Sequence, residues 1–277
     1  MKEGPARFKA EEKDVVDSDM DIFYNPEKKL ERDLTVIVSR LLDDDARIAL
    51  PLAGSGVRGL RMLKESSSSF ELYINDKRDG FKQDFENDLR RNDVDRNVSV
   101  FETDANKFLN NHYSFDYVEI DPFGTPNPFL DSSIRKLRHD GILAVTATDT
   151  APLCGTYPTT CKRKYWSDPL QNHEMHESGL RILIRKIQLV GSQHEKALFP
   201  ILAFSKRHYF KVFFRMKHKK SVCDDVIEKH GTYKDKGPMW LGKLHDKHVL
   251  DELDVSGWID DETQSLLDVI RQEKDSI

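Results

Sequence analysis

The sequence has few cysteines and no long apolar run, and these two absences exclude several classes of protein. Its three cysteines are an odd set without a Cys-x-x-Cys spacing. They predict neither a disulfide framework nor a zinc site, so we expect a protein of the reducing cytoplasm without a bound metal. No window approaches the roughly 20 apolar residues of a membrane span, and the N-terminus lacks the apolar core of a signal peptide. We therefore expect a cytoplasmic protein without a membrane partner.

The sequence also has no overall excess of basic residues: its net charge is −5 over 277 residues. That average argues against a nucleic-acid partner, but the charges are segregated. Residues 206–220 hold seven lysines or arginines and no acid, whereas residues 11–21 hold six acids. Local patches decide the attraction to a phosphate backbone, so residues 206–220 predict salt-sensitive binding of nucleic acid.

Apolar strand patterns alternate with helical patterns along most of the chain, which predicts an α/β fold. The basic run ends this part near residue 217, and a shorter, less hydrophobic tail follows. We therefore predict a domain at 1–217 with an N-terminal extension at 1–22, and a short C-terminal α+β appendage at 218–277. The predicted strands are 47–52, 70–74, 98–101, 115–120, 141–147, 198–204 and 208–216. In the last of these, successive side chains are expected to point to alternate faces of the sheet.

A glycine-rich turn follows the first predicted strand. Gly54, Gly56 and Gly59 have the spacing of a nucleotide-binding turn, in which glycine lets the backbone approach a ligand closely. That spacing alone is weak, but Asp76 ends the second strand 20 residues after Gly56. A Rossmann-like unit places there an acid that accepts hydrogen bonds from ribose hydroxyls.

Two further polar residues have open interpretations at this stage. Asp104 follows the third strand, where it would accept a hydrogen bond from an adenine amino group or serve as a plain helix N-cap. Arg32 and Asp33 lie opposite the apolar stripe of a helix that starts after Asn25-Pro26. Taken by itself, that pattern favours a solvated helix face.

The stretch at 115–126, Phe-Asp-Tyr-Val-Glu-Ile-Asp-Pro-Phe-Gly-Thr-Pro, carries the clearest chemistry in the chain. Asp121 comes at the carboxyl end of a strand, where open α/β sheets place their ligands. Its carboxylate and the Pro122 carbonyl can each accept a hydrogen bond from an exocyclic amine. The Phe123 ring can stack on a base, a contact of roughly 1–3 kcal/mol. The alternative is an ordinary strand-to-loop turn.

Residues 149–158 are dense in turn-forming residues and are expected to be an irregular functional loop. Cys154 has no histidine close in sequence, which favours a small buried thiol over a nucleophile. Residues 161–166 mix basic and aromatic side chains, as a surface that follows a nucleic-acid backbone would.

The order of these parts resembles the class I S-adenosylmethionine methyltransferases, with a Rossmann-like sheet covered by helices on both faces. Within that class the sequence is similar to the tRNA (guanine-26-N2) dimethyltransferases, whose motifs run collinearly over residues 23–244. The motifs that carry the resemblance are Phe-Tyr-Asn-Pro at 23–26 with Arg32-Asp33, Gly-Ser-Gly-Val-Arg-Gly at 54–59, Asn75-Asp76, Asp104-Ala105, Asp-Pro-Phe-Gly-Thr-Pro at 121–126, Thr-Ala-Thr-Asp-Thr-Ala-Pro-Leu-Cys-Gly at 146–155 and Gly-Pro-Met-Trp-Leu-Gly at 237–242.

The resemblance implies transfer of one or two methyl groups from S-adenosylmethionine to N2 of guanine 26 in tRNA, by a monomer. The catalytic residues it implies are Asp121, Pro122 and Phe123. The residues it implies for the cofactor are Arg32, Gly54, Gly56, Arg58, Asp76, Asp104 and Ala105. Phe23 and Phe123 would pack the guanine, and the basic residues expected on the tRNA are Lys162, Arg163, Lys206 and Arg207.

The sequence departs from the family in three places. Residues 51–53 lack the acid that relatives often carry, residues 231–236 lack a cysteine cluster, and the family's C-terminal domain is longer than residues 218–277. A shortened C-terminal domain and no zinc are therefore expected. The alternatives are methylation of another exocyclic amino group of RNA or DNA, and a non-catalytic relative that only binds tRNA.

Overall fold

The computed structural model describes residues 1–10, 22–66, 68–257 and 259–273. The acidic cluster at residues 11–21 lies outside them. The strands are β1 (Lys2–Glu3), β2 (Ala6–Arg7), β3 (Ala46–Leu50), β4 (Phe70–Asp76), β5 (Val98–Glu102), β6 (Phe115–Ile120), β7 (Leu137–Ala147), β8 (Lys196–Lys206), β9 (Tyr209–His218), β10 (His230–Tyr233) and β11 (Lys236–Trp240).

The helices alternate with the strands in the first half of the chain and continue to its end. They are α1 (Lys29–Ser39), α2 (Val57–Glu65), α3 (Phe81–Arg91), α4 (Ala105–Asn110), α5 (Asn127–Lys136), α6 (Thr150–Leu153), α7 (Pro158–Tyr165), α8 (Met175–Ser192), α9 (Lys220–Ile227), α10 (Lys247–Glu252) and α11 (Asp261–Glu273), with a 3₁₀ turn at Pro26–Lys28 ahead of α1.

Within the described part of the chain, seven strands form one sheet in the order β5-β4-β3-β6-β7-β9-β8. The pairs β4–β5, β3–β4 and β3–β6 are parallel, and β9 is antiparallel to both β7 and β8. Parallel neighbours end at the same edge of a sheet, so the carboxyl ends of β3, β4, β5 and β6 share one edge. The predicted strands and the α/β class are confirmed.

The chain divides into two compact units, one of residues 1–119 with 251–274 and one of residues 120–250 with 275–277. The predicted division at residue 217 stays a prediction. In the first unit, α1 is buried on nearly all sides, including the polar Arg32 and Asp33. The expectation that these two side chains lie on a solvated face is wrong, because charged partners cover that face of the helix.

The second unit contains the antiparallel strands and the helices around them. Strand β9 is buried along most of its length, so both of the side-chain faces predicted for it pack inside the unit. Residues 149–158 were expected to be irregular, but α6 forms inside them and α7 begins at Pro158. The tail contains the β10–β11 hairpin and α10, in agreement with an α+β appendage.

Two searches of the described residues bear on the class of protein. None of the helices in those ranges is long and apolar enough to cross a membrane. The same ranges contain no group of three or more histidine, cysteine, aspartate or glutamate side chains that could hold a metal ion.

Candidate cofactor and base sites

The glycine turn between β3 and α2 contains two glycines whose positions do not suit a side chain. Gly54 and Gly56 both have positive φ angles, +57° and +78°. A Cβ on Gly54 would lie 3.1 Å from the backbone oxygen of Phe23, and one on Gly56 would lie 2.4 Å from Cδ2 of Phe85. The predicted turn is therefore present, and the structure brings the predicted Phe23 against it.

Asp76 is the last residue of β4, and its carboxylate is fixed by backbone donors. Gly54 N donates to Oδ2 at 2.7 Å, and Arg78 N donates to Oδ1 at 3.0 Å. The side chain is half-buried. A carboxylate has about four acceptor positions, so two backbone bonds leave capacity for ligand hydroxyls.

Asn75 joins the ends of three neighbouring strands and was noticed in the sequence only as a neighbour of Asp76. Its buried amide donates to the carbonyls of Pro51 and Thr103, both at 2.9 Å, and its oxygen accepts from Thr103 N at 3.0 Å. A buried asparagine that directly precedes a strand-end acid was the available signal for such a role. Asn75 thus links the strand ends at which the residues predicted to bind the cofactor lie.

Asp104 is the N-cap of α4, with Oδ1 accepting from Lys107 N at 2.9 Å. The N-cap interpretation of this residue is confirmed. The role at an adenine stays a prediction, since Asp104 is exposed and its cap uses one carboxylate oxygen. Ala105, which follows it, is buried.

Arg32, on α1, is 4% exposed, and its guanidinium reaches Glu3 of the N-terminal hairpin. Its Nε donates to Oε1 of Glu3 at 2.8 Å, its Nη2 pairs with the other oxygen of Glu3, and Nη1 donates to the Asn25 carbonyl at 3.0 Å. The Tyr24 ring lies under the guanidinium, 5.1 Å from Cζ. Arg32 is thus held rigidly before any ligand arrives.

Arg58 belongs to a second buried charge cluster, on the first turn of α2. It donates to Thr35 Oγ1 at 2.7 Å and to Glu31 Oε1 at 3.3 Å, and lies 3.5 Å from Glu119 Oε1. The structure therefore ties Arg58 to α1 and β6, whereas Arg32 is tied to β1. Both positions are fixed by residues distant in sequence.

The base loop, residues 121–126, follows β6 directly. Asp121 is half-buried, Pro122 is buried, and the Phe123 ring is 56% exposed. Gly124, at φ +74°, forms two hydrogen bonds with Thr148: its N donates to Oγ1 at 2.7 Å and its O accepts from Thr148 N at 3.0 Å. These bonds fasten the loop to the end of β7.

The base loop is also fastened to α7. Tyr165 Oη donates to Thr125 Oγ1 at 3.0 Å, and it lies 3.2 Å from Asp149 Oδ2, which also binds Lys164 Nζ at 2.8 Å. Burial raises the pKa of Tyr165 far above its usual value, the Thr125 hydrogen bond opposes the shift, and the Asp149 charge adds to it. Tyr165 therefore stays a neutral donor and a rigid support.

The three cysteines are buried, which confirms the interpretation of Cys154 as a buried thiol. The structure brings His176 to it from 22 residues away, with Nδ1 3.7 Å from Sγ. Burial nevertheless raises the pKa of Cys154 to about 11, so the histidine does not activate it as a nucleophile at neutral pH.

Three of the four basic residues predicted to contact tRNA are exposed and Lys206 is half-buried, and the four lie on two elements. Lys162 and Arg163 are on α7, and Lys206 and Arg207 are at the turn of the β8–β9 hairpin. The basic run 206–220 does not form one patch. Lys211 is buried against Thr146, and Lys217 pairs with Asp140 at the opposite end of β9.

Comparisons with known proteins show which family this chain resembles. The sequence model described as N2,N2-dimethylguanosine tRNA methyltransferase matches residues 4–236. A tRNA (guanine(26)-N(2)/guanine(27)-N(2))-dimethyltransferase from Aquifex aeolicus is 36% identical, over 94% of this chain and 76% of the relative. A tRNA (guanine(26)-N(2))-dimethyltransferase from Methanocaldococcus jannaschii is 35% identical, over 91% and 75%.

A solved structure extends the similarity to three dimensions. Trm1 from Pyrococcus horikoshii, in complex with S-adenosyl-L-methionine, has a TM-score of 0.88 and 28% identity, over 98% of this chain and 82% of that chain. The match of the family model and the identities to the two relatives cover most of the chain. The chain therefore belongs to the N2,N2-dimethylguanosine tRNA methyltransferase family.

Proposed function

We propose that the chain is an S-adenosylmethionine-dependent methyltransferase that modifies N2 of guanine 26 in tRNA. The observation that carries the proposal is Asp121-Pro122-Phe123 directly after β6, which lies parallel to the strand that ends in the glycine turn. The names of the relatives from Aquifex aeolicus and Methanocaldococcus jannaschii support the reaction and the substrate. We place the reaction in the cytoplasm, in a monomer whose residues 1–217 carry the chemistry.

The strand ends of the first unit suit a nucleoside-type cofactor. Asp76 supplies a fixed carboxylate for ribose hydroxyls, and the glycine turn offers a backbone without side chains beside it. Asp104 and Ala105 would border the adenine, and Arg32 and Arg58 would supply positive charge for a carboxylate. Gly54 and Gly56 complete this proposed set. When bound, S-adenosylmethionine supplies a methyl group made electrophilic by its sulfonium.

The base loop would hold the guanine after it leaves its stack, a step that costs a few kcal/mol. Phe123 presents an exposed ring for stacking, and Phe23 would pack a second side of the base. The Asp121 carboxylate and the Pro122 carbonyl would each accept one N2 proton. The lone pair of N2 would then point at the methyl group.

The chemistry requires mainly alignment, because guanine N2 is a weak nucleophile. Good orientation lowers such barriers by about 7–11 kcal/mol. With S-adenosylmethionine bound, the N2 lone pair would form the N–C bond as the S–C bond pair returns to sulfur, and Asp121 would take the proton that leaves N2. The nitrogen keeps one hydrogen after the first transfer, so the second round repeats the same step.

Contacts beyond the reacting base would come from the basic residues of α7 and of the β8–β9 turn. Lys162, Arg163, Lys206 and Arg207 can approach phosphates of the tRNA. Each phosphate that they neutralise releases counterions, so binding would weaken as salt rises.

The test is incubation of the protein with an unmodified tRNA transcript and labelled S-adenosylmethionine, followed by mass analysis of the nucleosides. We expect N2-methylguanosine and N2,N2-dimethylguanosine, and neither product from a transcript with adenosine at position 26. Methylation of another nucleoside would favour a different amino-group methyltransferase. Tight tRNA binding without any methyl transfer would identify a non-catalytic relative.

A further inference from the structure

Trp166, directly after α7, has a backbone conformation that normally belongs to glycine. It is the C-cap of the helix with φ +57°, and its N donates to the Lys162 carbonyl at 3.1 Å. Helices commonly end in a left-handed residue, and that residue is usually glycine because a side chain is unfavourable there. Here the position carries the largest side chain available, and that side chain is 48% exposed.

A lysine of α8 lies against the indole of Trp166. Lys186 Nζ lies 3.0 Å from the ring centroid, and Lys186 itself is 6% exposed. Arg185 Nη1 donates to the Trp166 carbonyl at 3.2 Å, which holds the backbone of the residue. The residue is therefore held in place by two neighbours on α8, while about half of its surface, 48%, stays exposed.

Trp166 is connected to the base loop through α7. Tyr165, its neighbour, donates to Thr125 Oγ1 at 3.0 Å, and Asn127 Nδ2 donates to the Lys164 carbonyl at 2.9 Å. The exposed rings of Phe123 and Trp166 are thus carried by two segments that are bonded to each other.

Basic side chains outnumber acids on the segment that carries the indole, although Asp168 pairs with Lys162 at 3.5 Å. Lys162 and Arg163 are exposed on the last turn of α7, and Lys186 lies beneath the ring. A half-exposed flat ring with cations beside it matches the chemistry of an unpaired nucleobase with its phosphate. An apolar protein segment would find a poorer match in this surface.

We propose that Trp166 is a second stacking platform, which holds an unpaired base of the RNA substrate beside the guanine that stacks on Phe123. The inference rests on the proposed function, because the substrate is RNA in both. It adds a residue that recognises the RNA outside the reacting base. Phe123 would act on the methylated nucleoside itself, whereas Trp166 would act on the affinity for the whole RNA.

The test compares Trp166→Gly with Trp166→Phe, and uses Tyr113→Ala as the control. Glycine suits the backbone at this position and removes the ring, whereas phenylalanine keeps a ring. Tyr113 is 85% exposed and lies before β6, away from α7 in sequence. We expect Trp166→Gly to raise the KM for tRNA roughly tenfold, the order of one lost base–aromatic stack. The KM for S-adenosylmethionine and the kcat should stay within twofold, and the other two variants should resemble the wild type.

Binding of tRNA without S-adenosylmethionine separates this inference from the proposed function. A tenfold larger dissociation constant for Trp166→Gly supports the platform even if no methyl transfer is found. A dissociation constant within twofold of the wild type overturns the platform even if methylation is efficient.

Fluorescence gives a second readout that does not depend on the folding of the glycine variant. Stacking should quench the emission of Trp166, so tRNA should reduce the wild-type signal and leave Trp166→Phe nearly unchanged. Equal quenching of both proteins by tRNA would overturn the inference. Quenching of the wild-type emission by a protein partner, without any quenching by tRNA, would overturn it as well.

Discussion

The backbone nitrogen of Gly54 donates a 2.7 Å hydrogen bond to Oδ2 of Asp76, so two residues assigned to the cofactor also hold each other. Asp76 also accepts a hydrogen bond from Arg78 N, so each of its two carboxylate oxygens has a backbone donor. The acid therefore has a structural task in addition to its proposed task at the ribose. A substitution of Asp76 must be interpreted with both tasks in mind.

We expect Asp76→Ala to weaken S-adenosylmethionine binding roughly 10- to 100-fold, because hydrogen bonds to a charged group contribute about 1.5–3 kcal/mol each. It should also lower the free energy of unfolding by about 2 kcal/mol. Asp76→Asn keeps one acceptor oxygen and should lose about half of that stability. Calorimetric titration and urea denaturation measure the two effects. Wild-type affinity in Asp76→Ala would leave the residue only its structural task.

Gly56 allows a second prediction about the same turn. Gly56→Ala should lower the free energy of unfolding by roughly 2–5 kcal/mol, since left-handed backbone costs a side chain about 1–2 kcal/mol and overpacking adds about 1–3 kcal/mol. The added Cβ would meet the Phe85 ring at 2.4 Å.

Gly80→Ala is the matched control for the Gly56 substitution. Gly80 has φ +80°, and a Cβ there would meet nothing within 4 Å. It should show the backbone cost alone. Equal destabilisation of the two variants in thermal or urea unfolding would contradict the role of Phe85.

Local patterns in the sequence were sufficient for the strands and for the glycine turn. Strand β6 was predicted with the bounds that the structure has. Gly54 and Gly56 lie in one turn, and Asp76 lies at the end of a neighbouring strand, as predicted. Such features depend on residues close in sequence, so their periodicity and spacing carry the information. The resemblance to a family then supplied roles that the spacing alone does not contain.

The environment of Arg32 could not be predicted, because its partners come from far along the chain. Glu3 approaches from the N-terminal hairpin, and Thr263 of α11 donates to Asp33 at 2.9 Å. A helical wheel of α1 shows two charged residues opposite an apolar stripe and cannot show what covers them. The division of the basic run 206–220 could not be predicted for a similar reason. Strand β9 separates the two ends of the run and buries Lys211.

Asp121 carries the third prediction. Asp121→Ala should lower kcat for methyl transfer by at least 100-fold, because a general base contributes about 10²–10⁴-fold. The affinity for S-adenosylmethionine should not change, and Asp121→Asn should keep the hydrogen bond to the base but not accept the proton.

Asp131→Ala is the control for Asp121, because Asp131 is an exposed acid on α5 that pairs with His194. It should retain full activity with labelled cofactor and tRNA. Activity of Asp121→Ala within tenfold of the wild type would refute the proposed role.

Glu3 carries the fourth prediction, which concerns pH. Burial opposes its ionisation, but the hydrogen bond and charge of Arg32 and the charge of Arg61 outweigh burial and lower its pKa from 4.5 to about 2. A carboxylate whose pKa is lower in the folded state stabilises the protein above its unfolded pKa. That stabilisation is lost as the pH falls from about 4.5 towards about 2, and it amounts to roughly 3 kcal/mol.

Glu3→Gln removes this titration while it keeps the size of the side chain. The variant should be less stable than the wild type by roughly 3 kcal/mol at pH 7, and the difference should narrow as the pH falls below 4.5. Urea denaturation of both proteins at pH 7, 5 and 3.5 measures the difference. The variant should also bind S-adenosylmethionine more weakly at pH 7, because Arg32 loses the carboxylate that orients it. A constant difference in stability between pH 7 and 3.5 would mean that Glu3 contributes by packing and not by its charge.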